Sequence, residues 1–260
     1  MSELSHLKVS LIQTDLVWEN PQANFDNFED ELKNLYASTD LVILPEMFTT
    51  GFSMNPENLA CDSSIYEFLK IHAQAGDFAI YGSVMFKNEQ GGFVNRGIFM
   101  KPDGDYALYD KRHTFTLAGE QKVYDRGNQP TLVEYRNWKF NLQICYDLRF
   151  PVFSRNTQNY DVVIYVANWP VPRVAAWDAL LKARAIENMA YCIGVNRVGI
   201  DGTGMDYNGH SQVYDVLGTP LSDQPWESKG VKSLVLDKNH INKYRSGLKF
   251  LQDRDSFSLD

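Results

Sequence analysis

Positive charge is in short supply in this chain. Its 260 residues carry 25 Lys and Arg against 33 Asp and Glu, a net charge of −8, with no run of basic residues. That excludes a nucleic-acid-binding surface from the expected partners. Cysteine is scarcer still. Cys61, Cys145 and Cys192 are odd in number and widely spaced, so neither a disulfide framework nor a zinc knuckle is expected. The five histidines are scattered, which gives no metal site, and nothing calls for another cofactor. No apolar run approaches bilayer-spanning length, so no membrane contact is expected. The first residues, Met1 to His6, lack the basic and apolar regions of a signal peptide. A soluble protein in a reducing compartment, the cytoplasm, is the expected setting. Hydrophobic residues are plentiful, at 44%, enough for a large core. Length alone does not choose between one large and two small domains. No linker or shift in composition divides the chain, so residues 1–260 read as one domain with a C-terminal tail of about 245–260.

The periodicity alternates strands with helices from end to end. Leu7 to Ile12 reads as a first strand. Asn20-Pro21 is a capping residue followed by a proline suited to the first helical turn. Phe25, Phe28, Leu32 and Leu35 then recur at helical spacing, giving one buried face. Asp40 to Leu44 is a short apolar run, a strand covered on both faces, and it leaves Glu46 just past its tip. Ser63 or Ser64 caps a second helix. Phe78 to Phe86, Val94 to Met100 and Tyr106 to Tyr109 are strands joined by Gly-containing turns, and the last leads into Lys111. Thr114 to Pro130 reads as a long loop, which in a compact chain is usually functional. Phe140 to Ile144 alternates as a strand and stops at Cys145. Asp161 to Val166 is another buried strand, Val174 to about Ala190 a helix, and Tyr191 to Val198 a strand. A β-meander follows over His210 to Val216, then a strand over Val231 to Leu236 and a short helix near Asn239 to Tyr244. The shared pattern of Asp40-Leu-Val-Ile and Asp161-Val-Val-Ile hints at two related halves.

Three reactive side chains thus occupy like positions. Glu46, Lys111 and Cys145 each follow the C-terminal end of a strand, and in open α/β sheets that rim is where ligands bind. Taken singly, each has a plainer reading: a solvated turn residue for the Glu or the Lys, a small buried hydrophobe for the Cys. Together they supply acyl transfer without a histidine. Cys145 would attack a carbonyl, Glu46 would take the thiol proton, and Lys111 would stabilise the oxyanion and favour the thiolate. A Cys–His hydrolase using His113 or His210 is the competing enzyme reading; it leaves Glu46 and Lys111 without roles.

The surrounding motifs resemble those of the nitrilase superfamily of carbon–nitrogen hydrolases. They are Leu44-Pro-Glu-Met-Phe48, Tyr109-Asp-Lys-Arg-His113 and Ile144-Cys-Tyr-Asp-Leu-Arg-Phe-Pro151, in the family's order and along nearly the whole chain. The stretches Gln13 to Glu19, Ala167-Asn-Trp-Pro170, Ala183 to Asn188 and Gly194 to Gly199 are similar to the omega-amidase branch. The resemblance implies an α/β fold, the four-layer α-β-β-α sandwich, with a Glu-Lys-Cys triad falling on Glu46, Lys111 and Cys145. It also implies a second glutamate, at Glu120, orienting Lys111, and the backbone N–H of Tyr146 in the oxyanion hole. The implied activity is hydrolysis of the terminal amide of a small dicarboxylic or 2-oxo-dicarboxylic acid monoamide, through a cysteine thioester, with water as co-substrate. Such a substrate's free carboxylate needs a cation: Arg173 opens a helix and is well placed, whereas Arg149 reads first as a structural ion-pair partner. Phe48 and Trp169 are candidate pocket walls, or plain core. A nitrilase, a carbamoylase or a biotinidase-like amidase shares the triad, and an idle binding subunit is the reading of a different class. A homodimer follows from the resemblance, not from composition.

Overall fold

The structure, a computed structural model, describes residues 5–223 and 225–259. Residues 1–4, where the chain lacks a signal-peptide pattern, and the last residue of the tail lie outside it. In chain order the first half runs β1 (His6–Gln13), α1 (Pro21–Asn34), β2 (Leu41–Ile43), α2 (Pro56–Leu59), α3 (Ser64–Gly76), β3 (Ala79–Lys87), β4 (Phe93–Met100) and β5 (Tyr106–Asp110). The second half runs β6 (Thr131–Tyr135), β7 (Trp138–Ile144), α4 (Pro151–Ser154), β8 (Val162–Val166), α5 (Val174–Asn188) and β9 (Tyr191–Val195). It closes with β10 (Val198–Ile200), β11 (Asp206–Asn208), β12 (Gln212–Tyr214), β13 (Gly230–Asp237) and α6 (Lys238–Leu248).

Two sheets form. One has the order β13-β1-β2-β3-β4-β5, the other β12-β9-β8-β7-β6, and β10 pairs with β11 apart from both. In the first, β1, β2 and β3 are parallel; in the second, β7, β8 and β9 are. Strands buried on both faces divide their side chains by the period of two. Leu41 and Ile43 meet Phe140, Leu142, Val162 and Ile164 in the layer between the sheets. Val42 and Leu44 face the other way, onto Phe28 and Leu32 of α1 and Ile65 and Leu69 of α3. Val163 and Tyr165 face Trp177, Leu181 and Ala185 of α5. The result is the expected α-β-β-α sandwich.

The two halves are related down to single hydrogen bonds. The Asp40 N–H donates to Lys8 O (2.9 Å), and the Asp40 side chain accepts from Lys8 N (2.7 Å). Asp161 does the same with Lys139, at 2.7 and 3.0 Å. Each aspartate thus opens the middle parallel strand of its sheet and caps the strand before it.

Local chemistry explains where elements begin. Asn20 accepts from Ala23 N and Pro21 opens α1, as its sequence predicts. Ser63 stands at the N-cap of α3, as expected, but its side chain makes no capping bond; Asp62 Oδ1 accepts from Ser64 N instead (2.8 Å). Helix α2, of four residues, and strand β6, of five, were not legible in the sequence. The strand expected to run from Tyr191 to Val198 stops at Val195, because Asn196 turns the chain with a side chain bonded to Trp169 O and Gly209 O. No helix among the described residues is long and apolar enough to cross a membrane.

Candidate active site

Cys145 sits where β7 becomes a tight helical turn, and its φ of +44° is a conformation that non-glycine residues rarely adopt. Such backbone costs about 1–3 kcal/mol and persists only where the surroundings over-determine it. Asp147 does so here. Its fully buried carboxylate accepts from Ile144 N (3.0 Å), Tyr109 Oη (2.7 Å) and the backbone and ring nitrogens of His113 (3.0 and 2.8 Å). Arg184 of α5 secures the far end of the turn by donating to Leu148 O (2.6 Å).

Glu46 and Lys111 are buried beside the cysteine, at 0% and 1% exposure. Lys111 Nζ donates to Glu46 Oε1 (2.8 Å) and to both oxygens of Glu120 (3.0 Å each). Glu120, itself buried, also accepts from Phe115 N. Two asparagines complete the shell. Asn95 Nδ2 donates to Glu46 Oε1 (2.8 Å), while Asn168 donates its N–H to Glu46 Oε2 (2.9 Å) and its Nδ2 to Glu46 O (2.7 Å). Cys145 Sγ lies 3.9 Å from Asn168 O.

These neighbours set the protonation states. Burial pushes the Cys145 thiol well above its usual value, the Glu46 carboxylate adds to the rise, and the opposing pull of Lys111 is smaller. The sequence-based expectation that Lys111 would favour the thiolate is therefore outweighed: the resting group is a thiol and needs a base. Burial disfavours the Lys111 ammonium, but Glu120 and Glu46 together overcome it and its pKa is raised. Burial raises the Glu120 carboxyl, against the pull of Lys111 and with the help of Glu46.

Above the cysteine is a cavity of about 240 Å³, smaller than the ~300–1,000 Å³ typical of drug-sized ligands and therefore suited to a small metabolite. Its floor carries Cys145, Lys111 and Asn168; its walls carry Tyr146, Trp169, Phe115, Tyr207 and Met205; Arg149 and Arg173 line it too. Neither arginine is ion-paired with a carboxylate among the described residues. The Arg149 guanidinium lies over the Trp169 ring (4.9 Å) and that of Arg173 over Phe115 (5.2 Å). This replaces the structural ion pair expected of Arg149. Phe48 is elsewhere: fully buried and edge-on to Phe28 (centroids 5.3 Å), it belongs to the layer under α1 and α3. Its side chain leaves the chain on the outer face of the sheet. The histidines of the competing reading are engaged with other groups. His113 stacks on Phe150 and bonds to Asp147; His210 bonds to Asp178 and Glu227. Among the described residues no group of three His, Cys, Asp or Glu is placed to hold a metal ion.

Several residues of the site had no role assigned from sequence: Asn95, Asn168, Asp147, Phe115 and Tyr207. Asn168 carried a usable signal, since it follows the tip of β8 as Glu46 follows that of β2. The aromatic and loop residues carried none, because loops bring them in from distant positions.

Two stacked α/β layers, with a thiol, a carboxylate and an ammonium converging at the strand tips above which a small cavity opens, define an amidohydrolase of the α-β-β-α type. Residues 8–246 match the model of the carbon–nitrogen hydrolase family, and the chain belongs to that family. It is 42% identical to the omega-amidase YafV of Yersinia enterocolitica over 98% of this chain and 100% of that one. It is 29% identical to the 2-oxoglutaramate amidase of Bacillus subtilis, covering 94% and 96% of the two chains. A solved CN-hydrolase superfamily protein from Xanthomonas campestris, with an arsenic adduct in its active site, superposes with a TM-score of 0.95 at 38% identity, over 98% of this chain and 99% of that one.

Proposed function

We propose that the protein is an omega-amidase, releasing ammonia from the terminal amide of 2-oxoglutaramate, 2-oxosuccinamate or a related dicarboxylic acid monoamide. One observation carries this reading: a small cavity floored by the Cys145 thiol and the Lys111 ammonium, with Glu46 buried against Lys111, and lined by two arginines without carboxylate partners among the described residues. A substrate with an amide at one end and a carboxylate at the other matches both. The guanidinium faces are taken up by Trp169 and Phe115, which leaves their N–H edges for a carboxylate. The names borne by the Yersinia and Bacillus relatives agree with it.

In the cycle, Glu46 takes the thiol proton as Cys145 Sγ attacks the amide carbon. The oxyanion is met by Lys111 Nζ and the Tyr146 N–H. Collapse breaks the C–N bond, the proton held by Glu46 passes to the leaving nitrogen, and ammonia departs from a thioester. Glu46 then deprotonates a water that attacks the thioester; the acid leaves and the proton returns to the thiol. Glu120 keeps Lys111 charged and aimed throughout. The base is required because the thiol rests protonated.

The site draws on strand tips of both sheets, which supports residues 1–260 acting as one domain. All three thiols are free, in keeping with a reducing cytoplasm. Apolar Phe250, Phe257 and Leu259 are exposed on the tail and support a homodimer, to be tested by sedimentation. The activity is tested by ammonia release from 2-oxoglutaramate, expected in the wild type and absent in Cys145→Ala. Faster turnover of a nitrile, a carbamoyl compound or an uncharged amide would move the protein to another branch of the family. No hydrolysis of any small amide would leave the idle-subunit reading.

A further inference from the structure

The hydrogen bonds around Glu46 form two chains that the cycle above does not use. On one side, Asn95 of β4 donates its side-chain N–H to Glu46 Oε1 (2.8 Å), while its backbone carbonyl accepts from Lys111 N (3.0 Å). On the other, Asn168 donates Nδ2 to Glu46 O and its N–H to Glu46 Oε2, while its backbone carbonyl faces Cys145 Sγ. Each asparagine therefore joins Glu46 to one of the other two reactive groups. Both are buried, at 1% and 5% exposure, and in both the side-chain Oδ1 is buried without a hydrogen-bond partner in the protein.

Buried polar atoms without partners are rare enough that each calls for a reason. An amide whose donor is engaged and whose acceptor is orphaned brings the fold little net benefit, since the bond made and the bond forgone offset each other. What it does bring is a neutral donor. An aspartate in either place would add a third negative charge to a centre holding Glu46, Glu120 and Lys111; a lysine or arginine would neutralise the base. We infer that Asn95 and Asn168 are a pair of positioning residues: Asn95 locks the Glu46 carboxylate in register with Lys111, and Asn168 locks it in register with Cys145. The second parallel strand of each sheet takes part, β2 delivering Glu46 and β8 delivering Asn168, so the clamp holds the two sheets of the sandwich in catalytic alignment.

The inference rests on Glu46 being the general base, and its test separates the two. In Asn95→Leu, a side chain of similar size removes the donor and the orphaned acceptor together, and Lys111 still bonds Glu46 Oε1. The melting temperature is expected to stay within ~3 °C of the wild type. kcat on 2-oxoglutaramate is expected to fall on the order of 10- to 100-fold with KM changed less than about threefold, as for a base displaced by a fraction of an ångström. Asn168→Ala keeps the backbone donor to Oε2 and is expected to lose about tenfold in kcat. A second readout needs no substrate: alkylation of Cys145 by iodoacetamide at neutral pH is expected to slow in both variants, in proportion to kcat. A wild type that ignores 2-oxoglutaramate, with alkylation still dependent on both asparagines, would sink the substrate assignment and support the clamp. Alkylation and kcat within twofold of the wild type in both variants would overturn the clamp, as would a lowered melting temperature with unchanged turnover per folded molecule. Glu46→Gln alkylating at the wild-type rate would overturn clamp and general base alike.

Discussion

Removing the Lys111 charge is expected to destabilise the protein, and removing a second charge to restore part of the loss. Lys111 is 1% exposed and bonds two fully buried carboxylates, Glu46 and Glu120. In Lys111→Met, Glu46 and Glu120 face each other in a buried site with no cation between them. Breaking a buried ion pair from one side costs about 3–5 kcal/mol, and that is the loss expected for Lys111→Met at neutral pH. Glu120→Gln alone is also unfavourable, since its amide N–H₂ must meet one of two donors, Lys111 Nζ or Phe115 N. A charged hydrogen bond lost there costs about 1.5–3 kcal/mol. In the double variant the uncompensated second carboxylate is gone. The double variant is therefore expected to be more stable than Lys111→Met, by at least about 1 kcal/mol, although it carries one more unfavourable substitution. Urea unfolding of the wild type, both single variants and the double variant measures this. Glu120's folded-state pKa is raised by burial, so its carboxyl binds its proton more tightly folded than unfolded, and stability falls as pH rises from the ordinary carboxylate range through the raised value. Without Lys111 that effect grows, and the deficit of Lys111→Met is expected to shrink as pH falls. Additive single losses, or a deficit that deepens in acid, would refute the picture of a buried, mutually dependent charge cluster.

Other consequences are simpler to measure. Arg173→Met is expected to raise KM for 2-oxoglutaramate by about 10- to 100-fold, the value of a charged hydrogen bond, while hydrolysis of an uncharged amide of similar length is unchanged; equal loss on both would remove Arg173 from carboxylate binding. In Glu46→Gln, iodoacetamide labelling of Cys145 is expected to keep rising with pH beyond 9 without a plateau at neutral pH, because burial holds the thiol above its ordinary range; a plateau near pH 7 would mean a preformed thiolate. Asp147→Ala is expected to cost about 3 kcal/mol or more, since it orphans donors from Ile144, Tyr109 and His113 at once; a change under about 1 kcal/mol would show that the Cys145 turn is held by other means.

Much of the fold was legible because the strands are buried on both faces and the helices on one, and both patterns follow from side-chain period alone. Helix α2, barely one turn long, escaped because four positions show no helical period, and β6 escaped although β5 and β8 are just as short. The split of β9 from β10 escaped too, because the break depends on the Asn196 side chain reaching Trp169 and Gly209. At the site, a strand tip followed by a reactive residue marked Glu46, Lys111 and Cys145. The same rule applied to β8 points to Asn168. It could not tell Phe48, two residues past Glu46 in the turn after β2, from a pocket wall, because the face onto which a side chain emerges depends on where that turn places it.

By itself, the sequence determined the layered α/β architecture, the family and the three groups that meet at the strand tips, because periodicity and motif order are local properties of the chain. Only the tertiary structure decided how the Cys145 thiol and the Lys111 ammonium are shifted. The protonated thiol, the raised lysine and the orphaned asparagine oxygens arise from burial and from neighbours up to 122 positions apart, as between Glu46 and Asn168. It also decided that Arg149 lines the cavity over Trp169 and not a carboxylate on the surface. Desolvation and charge proximity act through space, and no spacing along the chain encodes them.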